Sequence, residues 1–331
     1  MVFMIFQSVS CSSNEKYKIT DHYNGKNFFN PGTNDEPKSI FTVLKWKIFG
    51  DSSVWPDKIT PAYELAVPAP SSEKLVVTFV NHAAFLVQVD GLNILTDPVW
   101  AKRVSPLSFA GPSRLHPPGI EFDKLPKIHA VLISHNHYDH MDAETIKKLE
   151  DKDAPLFIVP LANMEKMKSF GAKNVVEIDW WDSINLSGSV KVTLTPARHW
   201  SSRTLWDKRK SLWGSFYVET KKEKIYFAGD TGYGAHFAEI YKRLGAPTLS
   251  MLSIGAYQPR WFMKEMHMNP EDAVLAHLDL QSKMSLGMHF GTFKLSDEKF
   301  EDPINDLEMA KKKLNVVNFK TINPGATIEG I

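Results

Sequence analysis

VLISHNHYDHM (Val131–Met141) is the stretch of sequence that decides the fold. Its first four residues have the apolar composition of a buried strand, and polar residues begin where that strand would end. His135, His137, Asp139 and His140 follow within a window of six residues. Imidazole nitrogens and carboxylate oxygens are ligands that suit Zn²⁺. The stretch therefore predicts a metal site at the carboxyl end of a buried strand.

Three later segments place further ligand types at the ends of strand-like runs. His199 lies near the end of KVTLTPARHW, Asp230 lies in KIYFAGDTGYG, and His289 lies in KMSLGMHFGTF. Each histidine taken singly would more often be structural, and a polar loop could hold three by chance. The chain has only 12 histidines in 331 residues, however, and ligands collect at strand ends in sheets covered by helices. Together these side chains predict a cleft that could hold two metal ions.

The body of the chain alternates strand-like and helical runs. LVVTFV and AFLVQV predict two strands from Leu75 onward, and Asp90-Gly91 predicts a tight turn into a third, LNILTD. Beyond these, apolar runs alternate with helical stretches such as AETIKKLE and AHFAEIYKRLG, which indicates a mixed sheet system covered by helices. We predict one α+β domain over residues 75–331, preceded by a mostly irregular arm over residues 1–74.

Two segments of the arm bear on localisation. Residues 1–11 (MVFMIFQSVSC) are apolar and end in Cys11, like the end of a bacterial lipoprotein signal, although the basic residues that begin such signals are missing. A remnant acylated at Cys11 and an incidental thiol stay open as alternatives. Residues 41–50 (FTVLKWKIFG) set apolar side chains beside lysines. That composition suits either packing on the core or contact with lipid headgroups.

Composition and charge exclude several classes of protein. The 39 Lys and Arg residues balance 38 Asp and Glu, so the net charge of +1 creates no field that favours nucleic acid. Hydrophobic residues at 43% and charged residues at 23% are typical of a globular protein. One cysteine cannot form an internal disulfide, and no run approaches the roughly 18 apolar residues of a spanning helix.

The metal-ligand stretch resembles a known motif. HNHYDH is similar to the HxHxDH motif of the metallo-β-lactamase superfamily, and His199, Asp230 and His289 follow in the order of its later ligands. Other strings between about residues 30 and 293 resemble the branch of N-acyl-phosphatidylethanolamine-hydrolysing phospholipase D: GPSRL, VVEIDWW, PARHWSSRTLWD, LWGSF, FAGDTGY, IGAYQPRWFM, HMNPEDAV and HFGTF. The resemblance implies a four-layer αββα sandwich, in agreement with the order of strands and helices.

The resemblance also implies how two zinc ions would be held. One ion would take His135, His137 and His199, the other Asp139, His140 and His289, and Asp230 would bridge them. A hydroxide shared by the two ions would attack a phosphodiester. Its products would be phosphatidic acid and an N-acylethanolamine. Iron or manganese in place of zinc stays open.

His267 is a further predicted catalytic residue, together with Asp139. It lies two residues before Asn269-Pro270, which predicts a capped helix start. An imidazole there could face a phosphate or a leaving oxygen, and His267 matches a functional histidine of the family. His82 is interpreted mainly as a residue that ties strands together by hydrogen bonds. Arg260 is a secondary candidate for contact with a phosphate.

The leading interpretation is therefore a metal-dependent phosphodiesterase of the phospholipase D type. Another hydrolase of the same fold, such as a lactonase or an enzyme for a different phosphodiester, stays open. Two other interpretations are disfavoured by the complete set of seven ligands. A mononuclear iron oxygenase would need fewer ligands, and a non-catalytic lipid-binding descendant would have lost some of them.

The expected partners follow from the substrate. A phospholipid implies contact with a membrane surface, for which Lys45, Trp46, Lys47 and Phe49 are candidates. We expect a peripheral membrane protein, either anchored through Cys11 as a bacterial lipoprotein or otherwise cytoplasmic. No nucleic-acid partner is expected, and the resemblance is compatible with a homodimer.

Overall fold

The chain forms two seven-stranded β-sheets in this computed structural model, which describes residues 17–33, 53–60 and 63–330. The first six strands in chain order are β1 (Val76–Asn81), β2 (Ala84–Val89), β3 (Leu92–Thr96), β4 (Ala130–Leu132), β5 (Leu156–Pro160) and β6 (Val175–Ile178). The next eight are β7 (Ser183–Asn185), β8 (Lys191–Thr195), β9 (Ser215–Glu219), β10 (Lys224–Phe227), β11 (Leu249–Ser253), β12 (Met284–Met288), β13 (Phe319–Lys320) and β14 (Thr327–Glu329).

The two sheets repeat one pattern of pairing. Their orders are β14-β1-β2-β3-β4-β5-β6 and β13-β12-β11-β10-β9-β8-β7. Strands β1 to β3 and β7 to β10 pair antiparallel, whereas β3 to β6 and β10 to β13 pair parallel. The β2–β3 turn is formed by Asp90 and Gly91, which both have positive φ, as the tight turn predicted there requires.

Helices fill the parallel crossovers, because parallel strands need a long connection. They are α1 (Ala143–Asp153), α2 (Met164–Ser169), α3 (His236–Leu244), α4 (Arg260–Met263), α5 (Pro270–Asp279) and α6 (Asp302–Leu314), with a 3₁₀ turn at Phe122–Lys124. No helix among the described residues has the length and apolar composition needed to span a bilayer.

Alternate residues of β4 show how the layers are stacked. Ala130 and Leu132 belong to a large core that both sheets share, whereas Val131 packs with Ile146 and Leu149 of α1 in a second core. Successive strand residues point to opposite faces of a sheet, so β4 separates a sheet–sheet layer from a sheet–helix layer. The predicted α+β sandwich is confirmed.

Part of the predicted arm packs on this body. Phe28 is buried in the shared core, and Asn30 Nδ2 donates a hydrogen bond to the carbonyl of His199 at 2.9 Å. Residues 17–33 contain only isolated bridges and no strand or helix. The boundary between residues 74 and 75 stays a prediction. Cys11 and the segment 41–50 lie outside the described residues.

His22 is the polar anchor of residues 17–33. Its ring stacks on Trp180 at 4.4 Å, and its two nitrogens lie 2.7 Å from Asp21 Oδ1 and Asp179 Oδ1. Burial alone would lower the pKa of His22, but the hydrogen bonds to Asp179 and Asp21 outweigh it and raise the pKa above its ordinary value. The stabilisation is therefore complete below the pKa of the unfolded chain and is lost as pH rises through the folded pKa.

We expect a His22→Phe variant, which keeps the stacking on Trp180, to lose stability in a pH-dependent way. The free energy of unfolding should fall by about 1.5 to 3 kcal/mol at about pH 6, the typical net value of hydrogen bonds to charged groups. The loss should be smaller at a pH well above the folded pKa of His22, where the imidazole is neutral. Urea unfolding at both pH values measures the difference, and an equal loss at both would contradict the ionic role.

Candidate metal centre

The seven predicted ligands lie together where strands of both sheets end. Strand β4 leads to His135–His140, β8 to His199, β10 to Asp230 and β12 to His289. Five of the seven side chains belong to buried residues, and the other two, His137 and Asp139, are partly exposed. The strand ends thus build a largely buried site.

Three imidazoles form a first group. His137 Nδ1 lies 2.9 Å from His135 Nε2 and 3.2 Å from His199 Nε2. His199 Nδ1 donates to the carbonyl of Met266 at 3.0 Å, so its Nε2 presents a lone pair to the group. His135 Nδ1 contacts Ser134 Oγ at 2.9 Å, which likewise turns its Nε2 inward. Lone pairs that converge in this way repel one another, and a cation between them removes the repulsion.

A second group surrounds Asp139. Its Oδ2 lies 3.3 Å from His140 Nε2 and 3.3 Å from His289 Nε2. The same oxygen lies 3.1 Å from His82 Nε2. His140 is oriented from behind, because its Nδ1 is 2.6 Å from the buried carboxylate of Asp97. This group offers one carboxylate and two or three imidazoles to a second cation.

Asp230 lies between the two groups. Its Oδ2 is 3.2 Å from His140 Nε2 and 3.8 Å from His199 Nε2. Its Oδ1 is 3.2 Å from His289 Nε2. One carboxylate therefore reaches ligand atoms of both groups, which is the geometry that a bridging ligand requires.

The electrostatics of the site favour the binding of a cation. Burial alone would raise the pKa of Asp230, but the imidazoles of His289 and His140 outweigh it and hold the pKa well below its usual range. Burial would lower the pKa of His289, yet Asp230 and Asp139 raise it to about 9. In the first group, burial and neighbouring histidines keep the pKa of His135 well below its ordinary value. The ionised carboxylates of the second group thus attract positive charge, which a divalent cation would supply in place of imidazole protons, and the first group offers neutral imidazoles.

The hydrogen bonding leads to the same conclusion. His140 Nε2, His289 Nε2 and Asp230 Oδ1 are buried and lack a well-formed hydrogen bond. Buried polar atoms are almost always satisfied in native proteins, and such exceptions cluster where an ion or a ligand belongs. The donor set therefore fits metal ions.

His267 also reaches the cluster. Its Nδ1 is 3.8 Å from Asp230 Oδ2 and makes no hydrogen bond, and its ring centroid lies 5.1 Å from that of His199. Burial and the positive charge of neighbouring histidines lower the pKa of His267 to about 4, although the negative charge of Asp230 opposes the shift. The imidazole is thus neutral near pH 7.

Arg260 supports His267 instead of facing the cluster. Its Nη1 donates to the carbonyl of His267 at 2.9 Å, and its Nη2 forms an ion pair of 2.7 Å with Asp272. Asp272 and Asn269 form the capping box that begins α5. The guanidinium is therefore engaged in fixing the approach of His267, and the interpretation of Arg260 as a phosphate contact has no support from these contacts.

Sequence reasoning missed Asp97 and underrated His82. Asp97 follows β3 and accepts hydrogen bonds from the backbone N–H of Ser134 and from its hydroxyl, besides its contact with His140. It ends a strand, as the ligands do, so the strand-end pattern could have found it. His82 occupies a left-handed position with φ of 47° and contacts Asp139 as well as tying strands together.

We expect Asp97→Asn to weaken metal binding without changing the ligand set. The neutral amide cannot supply the negative charge that orients His140 and strengthens it as a ligand. Replacing such a supporting carboxylate typically costs about 10- to 100-fold in metal affinity. Competition with a chromophoric chelator measures the loss. Asp151→Asn, on the exposed face of α1, is the matched control, and equal affinities for both variants would refute the role of Asp97.

Comparisons with known proteins agree with the geometry. Residues 92–290 match the family model described as a β-lactamase superfamily domain. The chain is 34% identical to N-acyl-phosphatidylethanolamine-hydrolyzing phospholipase D 1 of Caenorhabditis elegans, over 81% of this chain and 80% of that protein. It is 36% identical to an uncharacterised protein of Mycobacterium tuberculosis, over 86% of this chain and 78% of that protein.

A solved structure shows the same fold. Igni18, a metallo hydrolase from Ignicoccus hospitalis, superposes with a TM-score of 0.58 at 24% identity. The alignment covers 77% of this chain and 97% of that chain.

Proposed function

The chain belongs to the metallo-β-lactamase superfamily, in the branch of N-acyl-phosphatidylethanolamine-hydrolysing phospholipase D, and is a metal-dependent hydrolase; from this premise we propose that it is a dizinc phosphodiesterase. Its substrates would be N-acyl-phosphatidylethanolamine-type glycerophospholipids, and its products phosphatidic acid and N-acylethanolamines. The relative in Caenorhabditis elegans bears the name of that activity, which supports the choice of bond.

The position of Asp230 is the observation that carries the proposal. A carboxylate in contact with two separate groups of ligand atoms is suited to joining two cations. We assign the first ion to His135, His137 and His199, the second to Asp139, His140 and His289, and Asp230 to both. Two cations held in this way would lower the pKa of a water molecule and would stabilise the charge that develops on a phosphate. Zinc is proposed because imidazole dominates the donor set, with iron or manganese as alternatives.

The protein's own groups orient the reaction. His82 Nε2 is 3.1 Å from Asp139 Oδ2 and holds that carboxylate in place. His267, neutral near pH 7, presents Nδ1 to the cluster, 3.8 Å from Asp230 Oδ2. In the tautomer with its proton on that nitrogen, it would donate a hydrogen bond to a phosphate oxygen or to the departing N-acylethanolamine oxygen. No side-chain nucleophile is required.

Hydrolysis in water labelled with ¹⁸O tests the reaction. The zinc-loaded chain is mixed with micelles of N-acyl-phosphatidylethanolamine, and the products are analysed by mass spectrometry. We expect free N-acylethanolamine and phosphatidic acid that carries the label in its phosphate. Label in a released carboxylate would favour a lactonase-like or other acyl hydrolase, and release of diacylglycerol would show that the opposite phosphodiester oxygen is cleaved.

The proposal extends to partners. A phospholipid substrate implies that the chain works at a membrane surface as a peripheral protein, as a monomer or as the homodimer compatible with its relatives. Nucleic acid has no place in this function. An anchor at Cys11 stays a separate proposal, because that residue lies outside the described part of the chain.

A further inference from the structure

Two loops beside the metal centre hold large apolar side chains out in solvent. Leu107 and Phe109 are 48% and 78% exposed, and Leu205 and Trp206 are 80% and 85% exposed. We call these four residues the loop-tip surface. Single exposed apolar residues are ordinary, but four on two neighbouring loops form a patch that needs an explanation.

Both loops are held by well-defined polar contacts. The first is closed at its base by an isolated bridge between Arg103 and Ser113 and by the hydrogen bond from Val104 N to the carbonyl of Pro112 at 3.1 Å. In the second, Asp207 Oδ1 accepts from the backbone N–H groups of Arg203 and Thr204, at 2.9 and 2.8 Å. The polar groups of the loops are thus satisfied internally while the apolar side chains point outward.

The two loops flank one cavity next to the metal ligands. The cavity has a volume of about 510 Å³ and is lined by Pro106 and Ser108 from the first loop and by Arg203 and Thr204 from the second. Its wall includes Tyr138, which lies in sequence between the ligands His137 and Asp139. The loop-tip surface therefore lies beside the segment that carries these ligands.

Arg203 ties the second loop to the ligand loop. Its guanidinium lies 3.9 Å from the centroid of the Tyr138 ring and donates to the carbonyls of Asn136 and Met141. The Tyr138 hydroxyl donates in return to the carbonyl of Arg203 at 2.9 Å. A partner that binds the loop tips would thus be held in a fixed position relative to the metal centre.

The charge around the cavity is positive. Lys102 and Lys166 line it, and Lys102 is exposed. Its two acidic residues are engaged elsewhere: Asp142 is buried and accepts hydrogen bonds from Glu144 N and Ala101 N, and the Glu144 carboxylate pairs with Lys148 at 2.7 Å. They are also outnumbered by the four basic residues of the lining, Lys102, Arg103, Lys166 and Arg203. Apolar tips above basic side chains match the two layers of an anionic membrane surface, acyl chains inside and phosphates outside.

We propose that the loop-tip surface docks the protein on anionic phospholipid bilayers, with its apolar side chains in the interface and the metal centre facing the lipid. Tryptophan is the side chain best suited to that depth, because its ring is apolar and its N–H can meet headgroups. The choice of a lipid partner rests on the proposed function, and the surface itself rests on the exposure and charge of the two loops.

Co-sedimentation of the full chain with vesicles tests the proposal. Vesicles contain equal parts of phosphatidylcholine and phosphatidylglycerol, or phosphatidylcholine alone. We expect Leu205→Ser/Trp206→Ser to bind the mixed vesicles about tenfold or more weakly, since each lost apolar contact weakens partitioning. Leu107→Ser/Phe109→Ser should give a similar loss from the other loop. The matched control is Met309→Ser/Val317→Ser, which removes side chains that are 61% and 85% exposed elsewhere on the surface.

Two outcomes would overturn the proposal. Vesicle binding by both loop variants at the level of the unmodified chain would show that the tips do not insert. Light scattering that shows dimers of the unmodified chain and monomers of the loop variants, with equal vesicle binding, would assign the surface to a second copy. Hydrolysis of a short-chain soluble N-acyl-phosphatidylethanolamine keeps the two proposals apart: it should survive in Leu205→Ser/Trp206→Ser, and its absence from every protein would refute the proposed function while leaving the binding result intact.

Discussion

Replacing Asp230 by asparagine is expected to reduce turnover about a thousandfold and to lower the metal content from two ions toward one. Asparagine keeps the shape of the side chain but removes the charge that both ligand groups face at 3.2 to 3.9 Å. Two-metal stabilisation of a transferring phosphate is worth several kcal/mol, and each 1.4 kcal/mol lost is about a factor of ten in rate.

Metal content by plasma emission spectrometry, measured on the same samples as turnover, gives the result. Asp151→Asn, an exposed aspartate of α1, controls for the loss of one negative charge. Two tightly bound ions together with normal turnover in Asp230→Asn would mean that this carboxylate does not bridge the metals, and the dizinc proposal would fall with it.

Removal of the His267 imidazole should separate catalysis from metal binding. We expect His267→Ala to lower turnover by about 10²- to 10³-fold, the usual contribution of a positioned hydrogen-bond donor to a developing negative charge. Metal content should stay unchanged, because the nearest distance from His267 to the proposed bridging ligand is 3.8 Å and the seven other side chains complete both groups. His267→Asn, which can still donate a hydrogen bond from a similar position, should recover part of the rate.

Turnover and metal content, measured together, distinguish the possible roles of His267. Loss of an ion in His267→Ala would identify the residue as a metal ligand, since it also lies within reach of His199 and Asp230. Unchanged turnover would remove it from the reaction altogether. A fall in turnover with full metal content, partly restored by asparagine, is the result expected for hydrogen-bond donation to the substrate.

Several parts of the fold and of the site followed from local pattern. The turn at Asp90-Gly91 and the apolar run before His135 have compositions that favour one backbone conformation, so the sequence predicted them correctly. The seven side chains were found because each follows a strand, and the ends of neighbouring strands meet in space.

Other features depend on contacts between distant residues. Asp97 lies 43 residues before His140, and His82 lies 57 residues before Asp139, so nothing in the local pattern connects the members of either pair. Leu205 and Trp206 would be assigned to a core by their apolar character alone, yet Asp207 folds their loop so that both side chains face solvent.

The sequence by itself determined the types of ligand, their attachment to strand ends and the alternation of strands and helices, because these depend on residue chemistry and on short-range periodicity. Only the tertiary structure decided which nitrogen of each histidine faces the site and that Asp230 reaches both groups. Orientation of a ring is set by the partner of its other nitrogen, such as the carbonyl of Met266 for His199, and that partner comes from a distant part of the chain.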